Sequence, residues 1–103
     1  MKKIVLVCSA GMSTSLLVTK MQNAAKKQGI EVEIIAVPEV EAKNHTSGTD
    51  VVLLAPQVRY LLNKMKQDLT PHEIPVAVIE SIHYGMMNGD AVIKQAMELL
   101  QHK

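Results

Sequence analysis

The feature of this chain best suited to chemistry is a cysteine followed by a run of small and hydroxyl-bearing residues. Cys8 opens the segment Cys8-Ser9-Ala10-Gly11-Met12-Ser13-Thr14-Ser15, which leads straight into Leu16-Leu17. In such a turn, backbone N–H groups can converge on an anion. A helix starting there adds its unpaired N-terminal donors and the positive end of its dipole, so a phosphate bound there needs no metal. Gly11 suits the one position most in need of positive φ. Ser13, Thr14 and Ser15 can supply hydroxyl donors. A helix N-terminus also lowers a thiol pKa from about 8.5 into the range of roughly 3.5–7.5. Cys8 is therefore expected as a thiolate inside a phosphate-shaped cradle, placed to attack phosphorus. The composition of the loop leaves a plainer alternative open, in which Cys8 is a small core residue and Ser13 caps a helix.

Cys8 is the only cysteine in the sequence. That excludes an internal disulfide, a CxxC redox pair and a thiolate zinc site. Other phosphate motifs fit poorly: there is no GxGxxG, and the lysine of a Walker loop is missing. Cysteine phosphatases clamp phosphate with an arginine at the sixth position after the nucleophile, which here is Thr14. No acidic residue lies near the loop in sequence to protonate an alkoxide leaving group, although Glu80 could approach in space. The loop is poorly equipped to hydrolyse phosphate esters. It can still accept phosphate from a donor with a good leaving group, such as protonated phosphohistidine.

The elements around Cys8 follow from the hydrophobic pattern. Ile4-Val5-Leu6-Val7 is a continuous apolar run, suited to a strand covered on both faces. Similar runs occur at Val32-Glu33-Ile34-Ile35-Ala36-Val37, Val51-Val52-Leu53-Leu54 and Val76-Ala77-Val78-Ile79. Between them, residues 13–28 place Leu17, Met21, Ala24 and Ala25 on one helical face, with Gly29 as the stop. Residues 57–69 carry Val58, Leu61, Leu62, Met65 and Leu69 at amphipathic spacing. From Gly89 to the C-terminus, Val92, Ile93, Ala96, Leu99 and Leu100 repeat the pattern, with Asn88 or Asp90 as cap. The polar stretch from Pro38 to Thr49 reads as at most a short helix and a loop. This alternation predicts an α/β fold of one domain, residues 1–103. It is a four-stranded parallel sheet in the flavodoxin-like order 2-1-3-4, with helices on both faces. Ligands bind such sheets beyond the strand C-termini, where strand order reverses. That point lies beside the first strand, which Cys8 ends. Pro56 and Gln57, directly after the third strand, and His83 and Tyr84, in the loop after the fourth, are expected on the same edge.

Composition narrows the field further. The formal charge is +1, Phe and Trp are absent and only two Tyr occur. There is neither a basic stripe nor a set of stacking aromatics for nucleic acid. The apolar run near the N-terminus is too short for a signal peptide, and no segment reaches the length of a membrane span. A cytoplasmic protein without direct membrane insertion is expected, a monomer needing neither metal nor other cofactor. His45, His72 and His102 read as surface residues. His83 is the one histidine expected near Cys8, where it could touch a phosphate or a partner. Arg59 and Tyr60, one turn into the helix after the third strand, read as helix-surface residues, with the alternative that either faces the active edge and helps dock a partner. Met12, apolar in a loop expected to be exposed, is a candidate partner contact.

The segment Val7-Cys8-Ser9-Ala10-Gly11-Met12-Ser13-Thr14-Ser15-Leu16-Leu17-Val18 resembles the signature of the enzyme IIB component of the bacterial sugar phosphotransferase system, lactose/cellobiose/chitobiose family. The stretch Asp50 to Val58 and the pair Tyr84-Gly85 are also similar, so the likeness spans essentially the whole chain. The resemblance implies a phosphocarrier that takes phosphate from a histidine of enzyme IIA, holds it on cysteine, and gives it to a sugar carried in by membrane component IIC. On that resemblance Cys8 is the phosphocysteine and Ser9 through Ser15 the phosphate loop. The implied fold is close to that of low-molecular-weight tyrosine phosphatases. The loop departs from the glycine-rich version of lactose transporters, which points toward a β-linked disaccharide such as cellobiose or chitobiose.

Overall fold

The computed structural model describes residues 1–9, 12–45 and 47–101. Ala10, Gly11 and His102 lie outside the described residues, as do the side chains of Met12, Ser13 and Thr14.

The first strand, β1 (Lys2–Cys8), is the centre of the molecule, and Ile4 through Cys8 are all buried. Helix α1 (Met12–Lys27) follows, then β2 (Val32–Pro38), β3 (Val51–Leu54), helix α2 (Leu62–Leu69), β4 (Val76–Val78), and helices α3 (Ser81–Gly85) and α4 (Gly89–Gln101). The sheet order is β2-β1-β3-β4, all parallel, as the pattern of apolar runs predicts. In the register Cys8 stands opposite Pro38 of β2, and Val7 opposite Leu54 of β3.

The β-branched and leucine residues of β1 and β3 point alternately to two faces, and each face has its own core. On one, Ile4, Leu6, Val51 and Leu53 pack against Leu17 and Met21 of α1 and Val92, Ile93 and Ala96 of α4. On the other, Val5, Val7, Val52 and Leu54 pack against Met65 and Leu69 of α2, joined by Cys8, Ala42 and Val58. Burying side chains of this size contributes roughly 1.5–3 kcal/mol each.

Helix ends follow the expected chemistry. Gly29 takes φ +70°, its N–H donates to the Lys26 carbonyl, and the Ile30 N–H donates to the Ala25 carbonyl at 2.9 Å. This paired closure ends α1, with Ile30 packed on the core. Asn88, not Asp90, caps α4: its Oδ1 accepts from the Ala91 N–H at 3.1 Å.

Two expectations are corrected in detail. The helix expected at 57–69 opens as a 3-10 segment, Pro56–Leu61, before α2 begins. Val58 leaves helical geometry there (φ −117°, ψ 24°) while its side chain is fully buried. The weakly patterned stretch after β2 forms the short helical segment expected of it, a 3-10 turn at Glu39–His45. The loop expected after β4 is the short helix α3.

Candidate functional site

Cys8 ends the central strand with its side chain 3% exposed. Its Sγ donates to the Val37 carbonyl at 3.5 Å, a weak bond directed toward β2. It shares a core cluster with Val37, Ala42, Leu54, Ala55 and Val58. The chain reaches α1 within three further residues, so the helix starts at the same end of the sheet. The first turn of α1 contains no acidic residue, leaving its N-terminal donors unmatched by a carboxylate. Ser9 and Ser15 are exposed.

The segments leaving β2, β3 and β4 open on the same edge. After β3 the Ala55 N–H donates to the Val7 carbonyl at 2.9 Å, which ties the turn to β1. Pro56 then starts the 3-10 segment; it is half-buried, and Gln57 is exposed. After β4, the half-buried ring of Tyr84 packs against both core clusters, including the one that holds Cys8. Of the four edge residues expected from the sequence, Tyr84 is the one the structure brings onto that cluster. His83 sits instead in a cleft of about 390 Å³, lined with it by Glu80, Ala91, Lys94, Gln95 and Glu98. Its Nδ1 lies 3.8 Å from Glu80 Oε2. Among the described residues, no three His, Cys, Asp or Glu side chains gather as a metal site would require.

One pair was not singled out by sequence. The Tyr60 hydroxyl donates to Glu39 Oε1 at 2.7 Å, linking the segment after β3 to the segment after β2. This bond holds the phenol pKa above its ordinary value, and the nearby carboxylate charge acts in the same direction. Arg59 and Tyr60 are exposed, as expected of surface residues, but Tyr60 has this specific partner. Nothing in the spacing of 21 residues between Glu39 and Tyr60 signals the contact; only the strand order does.

Apart from Met1, the large exposed apolar side chains share one feature of chain position. Leu16, Val40, Tyr60, Ile82 and Met86 all lie on segments that follow the C-terminal ends of strands.

With this geometry in place, comparison with known proteins gives a consistent result. The family described as "PTS system, Lactose/Cellobiose specific IIB subunit" matches residues 3–95. The chain belongs to this family. It is 44% identical over 100 residues to the oligo-beta-mannoside-specific EIIB component of Bacillus subtilis (strain 168), covering 97% of each chain. It is 42% identical over 104 residues to the galactose-specific EIIB component of Lactococcus lactis subsp. cremoris (strain MG1363), covering 96% of each. Among solved structures, the cellobiose-specific phosphotransferase IIB component of Borrelia burgdorferi superposes with a TM-score of 0.81 at 39% identity, over 99% of this chain and 94% of that one. The resemblance seen in the sequence is thus the family itself, and these IIB relatives are named for different sugars. Among the described residues of this IIB family member, no helix is long and apolar enough to cross a membrane.

Proposed function

We propose that this IIB protein carries a phosphoryl group on Cys8, taken from a phosphohistidine of enzyme IIA and passed to a sugar brought in by component IIC. The observation that carries this reading is the position of Cys8. It is the lone thiol, at the C-terminal end of the central strand, with three residues between it and the start of a 16-residue helix. The connections from β1 to β2 and from β2 to β3 run to opposite sides of β1, so strand order reverses beside Cys8.

In the first step the Cys8 thiol loses its proton to water, and the thiolate attacks phosphorus in line. A P–S bond forms, the P–N bond of the donor breaks, and the protonated imidazole leaves as neutral imidazole. In the second step a sugar hydroxyl attacks. A P–O bond forms, the P–S bond breaks, the hydroxyl proton passes to water, and the Cys8 thiolate is regenerated. The backbone and hydroxyls of Ser9, Ala10, Gly11, Met12, Ser13, Thr14 and Ser15 form the phosphate cradle, and the start of α1 stabilises the negative charge on the equatorial oxygens. Leu16, Val40, Tyr60, Ile82 and Met86 give partners an apolar rim to dock on. Pro56, Gln57 and Tyr84 lie on that edge. The reaction takes place in the cytoplasm, against the inner face of the transporter. The acceptor is a β-linked disaccharide of the cellobiose or chitobiose type, a choice supported by the loop sequence and by relatives named for cellobiose and oligo-β-mannosides.

Intact-mass measurement tests this directly. Incubation with phosphorylated enzyme IIA is expected to add one phosphate to the wild-type chain and none to Cys8→Ser. Membranes containing IIC should then discharge it on addition of cellobiose or chitobiose and not of galactose. A wild-type chain that gains no phosphate, or a serine variant that gains it equally, removes Cys8 from this role.

A further inference from the structure

We propose that the Tyr60–Glu39 hydrogen bond is a latch that holds two segments closed over Cys8 and so sets access to its thiol. β1 lies between β2 and β3 in the sheet. Glu39 directly follows Pro38, the residue of β2 level with Cys8. Tyr60 lies in the 3-10 segment that leaves β3 on the other side. A side-chain bond between the two therefore passes across the line of β1, at the end where Cys8 sits.

The same two segments each add a buried side chain to the core cluster that holds Cys8. Ala42 from the first and Val58 from the second share the buried cluster of Cys8, and Val37, whose carbonyl accepts the thiol, is two residues before Glu39. A phosphoryl donor reaches a thiol that is 3% exposed only after part of its surroundings moves, and in this proposal the moving part is one of these two segments. The latch itself is reached by water: Tyr60 is 66% exposed, and Glu39 is half-buried at the surface. Water competes for both partners, so the bond can open without disturbing either core face. Both segments are 3-10 turns, with poorer hydrogen-bond geometry than the α-helices behind them. On the reading of Cys8 as the phosphoryl carrier, the molecule admitted is the phosphohistidine donor. The latch is tested without it.

Cys8 is the only thiol, so its reaction with a small alkylating reagent reports access at one site. Tyr60→Phe and Glu39→Ala should each react roughly two- to tenfold faster than wild type, the factor by which loss of an ordinary hydrogen bond raises an open population. The double variant should be no faster than either single one, because one bond is lost in all three. Gly89→Ala, a substitution at the α1–α4 contact on the other sheet face, supplies a destabilised control that should not accelerate the reaction to the same degree. A wild-type rate in Tyr60→Phe overturns the latch. So does multiplication of the two effects in the double variant, or equal acceleration in Gly89→Ala. Faster alkylation in a chain that never takes up phosphate would leave the latch standing and remove the carrier reading instead.

Discussion

Tyr60 offers a spectroscopic handle at the level of the single residue. The chain has two tyrosines and no tryptophan, so phenol ionisation can be followed near 295 nm with little interference. The hydrogen bond to Glu39, and then the charge of that carboxylate, raise the Tyr60 pKa from its ordinary value. Glu39→Gln removes the charge and weakens the acceptor. An alkaline titration of that variant should show the Tyr60 transition moved down toward the value of a free phenol; an unmoved transition would mean the bond is not formed in solution. The sign for stability follows. A group whose folded pKa is raised contributes stability that is fully present below the unfolded value, about 10 for tyrosine, and lost as pH rises through the folded value. The wild-type chain should therefore lose its advantage over Glu39→Gln only in strongly alkaline buffer. At this scale the sequence singled out Cys8, a lone thiol before a helix start, while leaving a plain core role open. It was silent about the bond between Tyr60 and Glu39, because a contact between two surface polar side chains leaves no periodicity to read.

The elements were legible where a buried face imposed a period. Leu17, Met21, Ala24 and Ala25 placed α1, and Val92, Ile93 and Ala96 placed α4; all seven are buried. Legibility failed where few residues face the core. In α3, Ser81–Gly85 has no fully buried residue, and its Ile82 is turned outward. At Val58 the hydrophobic spacing matched a helix, but the side chain turns into the cluster around Cys8 and bends the backbone out of helical geometry. Gly89 carried a requirement that spacing alone could not express. A Cβ built there would stand 2.4 Å from the Lys20 carbonyl carbon and 2.7 Å from the Met21 nitrogen. Both are backbone atoms of α1, which cannot step aside. Gly89→Ala is expected to destabilise the fold by about 1–3 kcal/mol, the usual cost of overpacking, in urea unfolding. A variant as stable as wild type would show that α4 moves off α1 freely.

For the molecule as a whole, the strand order was the most dependable expectation. Four apolar runs separated by helical patterns admit few right-handed parallel arrangements, and β2-β1-β3-β4 is the simplest. That order gathers the segments after each strand on one edge, and with them the exposed side chains Leu16, Val40, Tyr60, Ile82 and Met86. If this rim is the docking face, Ile82→Asp should weaken transfer from phosphorylated enzyme IIA about tenfold, chiefly through KM, with an unchanged melting temperature. Unaltered transfer kinetics would place the docking face elsewhere.

The packing of α1 on α4 also bears on how the chain is made. The central strand and the helix beside it leave the ribosome before α4, which completes one core face. The N-terminal half must therefore emerge with Leu17 and Met21 uncovered, and it stays a candidate for chaperone binding until translation of Gly89–Gln101 supplies their cover.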